Sequence, residues 1–190
     1  MTTYIPKISP IPYDVFANAS ASTLLPIVLG TAVGYSTRPK QTQETYTAMK
    51  QPPLRPPPSV FGPTWTVLYG LMGYAAHRAV TRSSLLSPDT AGVLQTLYSA
   101  QLGLNLTWMP LFFGLRRPAL SLANILSLLS VNGYLTYLYF GVDETAGWCM
   151  VPYLAWLGFA TYLNAGVGYL NNWDISESTL ATRKALGKDQ

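Results

Sequence analysis

The charged residues of this chain fall into short clusters, and five long stretches between them carry none. These stretches are residues 15–37, 56–77, 90–115, 118–142 and 145–173, of 23, 22, 26, 25 and 29 residues. A helix needs about 20 residues to cross a hydrocarbon layer about 30 Å thick, and each stretch meets that length. The first is the weakest, because its apolar part begins near Ala21 and contains Pro26. The pattern predicts five transmembrane helices, at about 20–38, 62–81, 91–114, 118–141 and 147–171, within one domain covering 20–172. The connection 39–61 is long and holds Pro52, Pro53, Pro56, Pro57 and Pro58, with Pro63 just beyond. Such a segment cannot be regular helix, and it is expected to cap one end of the bundle. Residues 1–19, interrupted by Pro6, Pro10 and Pro12, read as a flexible tail, and 173–190 as a polar C-terminal tail. The fold class expected is an all-α integral membrane protein, a bundle of five helices.

Composition agrees with this and removes other classes. Charged residues are 11% of the 190, against about 25% in soluble domains. A single Cys and a single His exclude an internal disulfide framework and a Cys- or His-cluster metal site. With 13 Tyr, 6 Phe and 5 Trp, the chain is too aromatic for a disordered protein. The net charge of +4 is too weak to indicate nucleic acid, and no nucleic-acid partner is expected. The segment 1–19 has one Lys and no Arg, unlike an Arg-rich transit peptide or a basic signal-peptide start.

The cations instead indicate orientation. With five spans the termini lie on opposite sides of the membrane. Lys7, Arg78 and Arg82 share the N-terminal side, whereas Arg38, Lys40, Lys50, Arg55, Arg116, Arg117, Arg183, Lys184 and Lys188 share the other. A bias of nine to three predicts a cytosolic C-terminus.

Polar side chains inside a membrane helix call for a reason. Tyr98, Gln101, Asn105 and Trp108 recur at helical spacing in the third span, as do Tyr153, Trp156, Ala160 and Asn164 in the fifth. Ser121, Asn124 and Asn132 share a face of the fourth. Such stripes enclose a cavity or form a polar packing seam, since amides also join membrane helices by hydrogen bonds. Gly62, Thr66 and Gly70, like Gly30 and Gly34, form small-residue rows suited to close packing between helices or protomers. Trp148 and Trp173 suit interface anchoring, Trp156 lies deeper, and Trp65 lies about one turn in. His77 reads as an interfacial residue and Cys149 as a packing residue. No span interior holds Asp, Glu, Lys or Arg, so ordinary acid–base chemistry has no agents there.

Residues 52–74, PPLRPPPSVFGPTWTVLYGLMGY, resemble the signature of the translocator protein family, also called tryptophan-rich sensory proteins or peripheral-type benzodiazepine receptors. A second block, Gln101 to Asn105 with Trp108-Met-Pro110-Leu-Phe-Phe-Gly114, is similar to the family's third helix, and Pro152 to Asn164 to its fifth. The resemblance covers about 22–172. It implies a compact five-helix bundle, often a homodimer, with an internal ligand pocket open towards the first loop. The implied ligands are porphyrins, haem-type tetrapyrroles, sterols and benzodiazepine-like drugs, with no cofactor or metal required. It assigns Trp65 and Trp156 to the pocket, Gly62, Tyr69, Asn105, Pro110, Ala160, Leu163 and Asn164 to the pocket or its support, and Pro56 and Pro57 to the loop over it. Leu54, Leu106 and Leu120 stand where Trp is common, Arg55 where His sometimes stands, and Asn124 where an acid is found. The proposed cholesterol motif after the fifth helix fails, because the first basic residue beyond Tyr169 is Arg183.

Three functions remain in view. One is a membrane receptor or binding protein for tetrapyrroles and sterols, serving tetrapyrrole homeostasis, transport or stress response. Another is a light-dependent porphyrin-degrading enzyme using Trp65 and Trp156. The third is a membrane scaffold with a vestigial pocket. By resemblance, a eukaryotic member sits in the mitochondrial outer membrane or the endoplasmic reticulum, and a bacterial one in the outer membrane.

Overall fold

Prolines and short polar caps set where the helices of this chain begin. The computed structural model describes residues 9–37 and 39–180, leaving aside the side chains of Pro39 and Gln41. Lys7, Arg38, Arg183, Lys184 and Lys188, five of the cations that indicate orientation, lie outside the described residues. The elements are α1 (Tyr13–Ala17), α2 (Ala19–Ser36), α3 (Pro39–Ala48), α4 (Pro58–Leu86), α5 (Pro88–Met109), a π turn (Pro110–Gly114), α6 (Pro118–Val142) and α7 (Glu144–Leu170). No strand occurs among the described residues. Helices α4, α5 and α6 open on Pro58, Pro88 and Pro118, where a missing N–H costs nothing. Asn18, Ser87 and Asp143 accept backbone N–H bonds as N-caps of α2, α5 and α7.

Four segments differ from the sequence expectation. Residues 13–17 form a helical turn instead of a free tail, because Phe16 is fully buried against Tyr98. His77 is no simple interface residue: its Nδ1 lies 2.6 Å from the Phe16 carbonyl oxygen and fixes α1 to α4. The 39–61 connection is helical over Pro39–Ala48, since its prolines cluster only from Pro52 onwards. Beyond Trp173 the chain is not wholly polar tail: Ile175 and Leu180 are buried with Met49, Phe112 and Val167 in a second small core. The third helix also changes winding at Pro110. Proline cannot donate to the carbonyl four residues back, and the ladder resumes as a π turn closed by Leu115 N–H on the Pro110 carbonyl at 2.8 Å.

Helix α4 is the centre of the bundle and touches α2, α5, α6 and α7. The main core is built on it, from Leu68, Met72, Ala75, Ala76 and Ala79 against Leu94, Leu128, Leu135 and Leu157. Its closest approach to α2 is at Gly73, where an added Cβ would lie 2.2 Å from the Ser22 backbone oxygen. The Ser22 hydroxyl donates to the Gly73 carbonyl at 2.7 Å. Gly30 of α2 makes room for the Tyr69 ring in the same way. Of the row Gly62–Thr66–Gly70 only Gly70 joins this seam, facing Ile27 and Thr23 of α2: Gly62 and Thr66 are exposed, and a Cβ on Gly62 would meet nothing.

By length and apolarity, α2 and α6 qualify as membrane-crossing helices, with mean hydropathy of 1.2 and 1.3. Helices α4, α5 and α7 are less apolar, and the polar residues of α5 and α7, Gln101, Asn105, Tyr153 and Asn164 among them, are turned inwards and buried. Large apolar side chains instead face outwards, including Leu24, Val28, Val67, Leu120 and Leu126, as a lipid-facing surface requires. At the α6–α7 joint Asp143 receives Arg78 Nε at 3.1 Å and Nη2 at 2.8 Å while capping α7. The Arg78 guanidinium, with smaller help from the Ala146 N–H, holds the Asp143 carboxyl below the usual range against the opposing effect of burial.

Two outcomes follow. Gly73→Ala is expected to cost about 1–3 kcal/mol through overpacking, read as a lower apparent Tm, while Gly34→Ala, facing open space, changes it by less than about 0.5 kcal/mol. The stabilisation from Asp143 is complete above the ordinary carboxylate pKa and is lost as pH falls through the lowered one. Wild-type Tm therefore falls at acid pH with a limb that is missing in Asp143→Asn, as thermal melts across pH will record.

Candidate functional site

Asn105 of α5 joins three helices. Its Oδ1 accepts the Tyr69 hydroxyl of α4 at 2.7 Å, and its Nδ2 donates to the Tyr153 hydroxyl of α7 at 2.7 Å. Tyr153 reaches on to Gln101 Oε1 at 3.4 Å. All the amides of this seam are buried, so each bond replaces one that water would otherwise make. The polar stripes of the third and fifth spans are thus a packing seam in this part of the bundle.

Above the seam the rings gather. Trp65 lies 5.3 Å from Tyr69, 6.2 Å from Tyr153 and 6.4 Å from Trp156, centroid to centroid. Phe61 stands edge-on to Trp156 at 5.9 Å and to Tyr46 of α3 at 5.8 Å. Ala160, one turn beyond Trp156 on α7, packs like Trp65, Tyr69 and Trp156 against the main core. The Trp156 indole N–H is buried and has no partner among the described residues. An indole N–H in that position ordinarily finds an acceptor.

The loop following α3 is fastened across this end. Asn171 accepts the Lys50 N–H at 3.1 Å and donates back to the Lys50 carbonyl at 2.8 Å. The Tyr162 hydroxyl donates to the Pro53 carbonyl at 3.0 Å, and Tyr46 to that of Pro56 at 2.8 Å. Burial pushes the Tyr46 phenol up, with Arg55 acting against it, which keeps the hydroxyl a donor. Pro57 caps α4, and Leu54 takes a left-handed φ of 63° in the turn between.

The sequence candidates divide. Trp65, Tyr69, Asn105, Trp156 and Ala160 come together, with Pro56 and Pro57 in the fastened loop. Asn164 is held elsewhere: Trp108 Nε1 donates to it at 3.0 Å, and it donates to the Pro118 carbonyl at 2.9 Å, binding α5, α6 and α7. Leu163 is buried beside it in sequence, and Gly62 is exposed. Pro110 lines a different cleft, of about 1000 Å³, with Ser36, Thr42, Phe113, Arg116 and Trp173. There Arg116 lies 3.5 Å from Glu177. Sequence reading did not single out Tyr153, Phe61, Tyr46, Tyr162 or Asn171 as site residues. Tyr153 had a signal, since it lies one helical turn from Trp156 on the stripe already noted.

Chemically the cluster offers flat indole and phenol faces, one unused indole donor and no ionisable acid–base pair. It suits a planar, polarisable molecule with a hydrogen-bond acceptor at its edge. The seam beneath it is cooperative. Asn105→Ala leaves the Tyr69 hydroxyl without a partner, at about 1–3 kcal/mol, and leaves Tyr153 only its long bond to Gln101. The apparent Tm should drop further than in Tyr69→Phe, which removes one bond and orphans one acceptor, as parallel melts of the two variants will show.

Known proteins place this arrangement in a family. The model of the TspO/MBR family matches residues 22–170. The chain is 41% identical over 163 residues to the translocator protein homolog of Schizosaccharomyces pombe, covering 84% of this chain and 98% of that one. It is 36% identical over 135 residues to the tryptophan-rich sensory protein of Cereibacter sphaeroides, covering 71% and 81%. With the human translocator protein it shares 36% identity over 119 residues, covering 63% and 70%. The matched span contains the whole of the amide seam and the ring cluster, and this helical chain belongs to the TspO/MBR family of membrane proteins.

Proposed function

We propose that α2, α4, α5, α6 and α7 all span the bilayer and that the Trp65–Trp156 cluster receives a planar tetrapyrrole, a porphyrin or haem, with sterols as a second ligand class. The protein is then a membrane receptor or binding protein in tetrapyrrole homeostasis, needing no cofactor of its own. The observation that carries this reading is the buried, unpartnered Trp156 N–H set among aromatic faces. A tetrapyrrole supplies what that place lacks: a flat face for the rings and an acceptor at its edge.

The rings touch one another, so the ligand must part them. The parts that can give way are in the loop, at Asn171–Lys50 and Tyr162–Pro53. The loop acts as the gate and the two latches set its speed. The exposed Gly62–Thr66 face supports pairing into a homodimer. The cation bias supports a cytosolic C-terminus, in the outer mitochondrial membrane if the source is eukaryotic, with the endoplasmic reticulum or a bacterial outer membrane as the other settings.

A second reading rests on the short ring-to-ring separations, 5.3 Å and 6.4 Å about Trp65. Oxidisable rings this close make light-dependent breakdown of a bound porphyrin the alternative activity. The test titrates the purified full chain with protoporphyrin IX by tryptophan fluorescence, first in the dark and then under light with product analysis. Saturable quenching is expected, weakened about 3- to 10-fold in Trp156→Phe, the measure of one aromatic contact. Asn171→Ala combined with Tyr162→Phe is expected to speed both association and release. No saturable signal in the wild type contradicts the reading and favours a scaffold. A defined tetrapyrrole product under light, lost in Trp65→Phe with Trp156→Phe, favours the enzyme.

A further inference from the structure

Four buried polar atoms of α5 and α6 have no hydrogen-bond partner among the described residues: the hydroxyls of Tyr98, Thr136 and Tyr139 and the Oδ1 of Asn132. Their side chains are 1%, 5%, 0% and 0% exposed. Asn132, Thr136 and Tyr139 recur at spacings of four and three, on one face of α6. Tyr98, from α5, belongs to the same buried core as Tyr139 and Tyr153. Nearby bonds are also poorly closed. Gln101 Oε1 receives Asn132 Nδ2 and the Tyr153 hydroxyl at 3.4 Å each, and Gln101 Nε2 has only the Met72 sulfur, a weak acceptor, at 2.9 Å.

Each unpartnered buried group costs about 1–3 kcal/mol, and four would be a heavy burden for one bundle. No side chain among the described residues bonds to them, and the core to which Tyr98 and Tyr139 belong is largely apolar, with Phe16, Leu94, Leu135 and Met150 among its members. Three hydroxyls and a carbonyl oxygen are the donors and acceptors that water uses. We propose that Tyr98, Asn132, Thr136 and Tyr139 form an internal hydration site that binds on the order of two water molecules, each making about three hydrogen bonds. The waters complete Gln101 and extend the Tyr69–Asn105–Tyr153–Gln101 line along α6 to Tyr139, one turn from Asp143 at the end of the bundle. This site stands whether or not the ring cluster binds a tetrapyrrole.

The test is X-ray radiolytic footprinting of the full chain in nanodiscs, in which bound water generates hydroxyl radicals beside it. Tyr98 and Tyr139 are expected to be labelled despite their burial, and the Tyr98 label is expected to fall to background in Thr136→Val with Tyr139→Phe. Thr136→Val alone is expected to lower the apparent Tm by roughly 2–8 °C, because a water loses a partner, while Thr136→Ser retains the wild-type label. If Tyr98 and Tyr139 remain unlabelled in a folded wild type, or if Thr136→Val raises the Tm, the hydroxyls are dry and the proposal is overturned.

Discussion

The Asn105 amide accepts from one helix and donates to another, and the site depends on that pair of bonds. In lipid the hydrophobic effect does not draw helices together. Shape and hydrogen bonds must choose which faces meet. Here the long charge-free stretches of the helices leave that choice to amides and phenols. Asn105 sets α4 against α7 through Tyr69 and Tyr153, and Asn164 sets α7 against α5 and α6 through Trp108 and Pro118. Small residues then let the chosen faces close, with Gly73 on Ser22 and Gly30 under Tyr69.

The same bonds place the rings. Tyr69 and Tyr153 each put a hydroxyl on Asn105 and a ring beside Trp65, so the seam and the aromatic cluster share two side chains. A cluster supported in this way keeps its geometry without a charged residue in it. Its cover is different in kind. The loop is fastened near the end of the bundle by bonds to the buried C-cap of α7, Asn171, and to the exposed Tyr162, where water can compete. A rigid floor and a releasable cover are what a binding site for a large planar ligand needs.

Much of the helix layout can be read from where charges stop. The stretch starting at Pro118 begins where α6 begins, because proline at the first helical turn and the end of the Arg116–Arg117 pair coincide there. Trp65, Tyr69, Asn105 and Trp156 were legible as candidates through stripe spacing and family resemblance. Residues 39–48 are not, because the prolines that mark the connection as irregular lie only from Pro52 onwards, and the polar stretch before them carries no apolar period. Phe16 and Ile175 were not legible as buried either, since single apolar residues in polar segments carry no periodic signal. Pro110 and Asn164 lie on the right helices, but the π turn and the Trp108 contact direct them away from Trp65. That turn depends on how the chain repairs a missing N–H, which spacing does not show.

The central claim is that the amide seam builds the ring cluster that binds ligand. A double-mutant cycle of Asn105→Ala and Trp156→Phe on protoporphyrin IX affinity tests it most directly. The account predicts a coupling of at least about 0.5 kcal/mol, because removing Asn105 frees Tyr69 and Tyr153 and with them the ring packing on which Trp156 relies. Strictly additive losses, or unchanged affinity in Asn105→Ala with the fold intact, would contradict it.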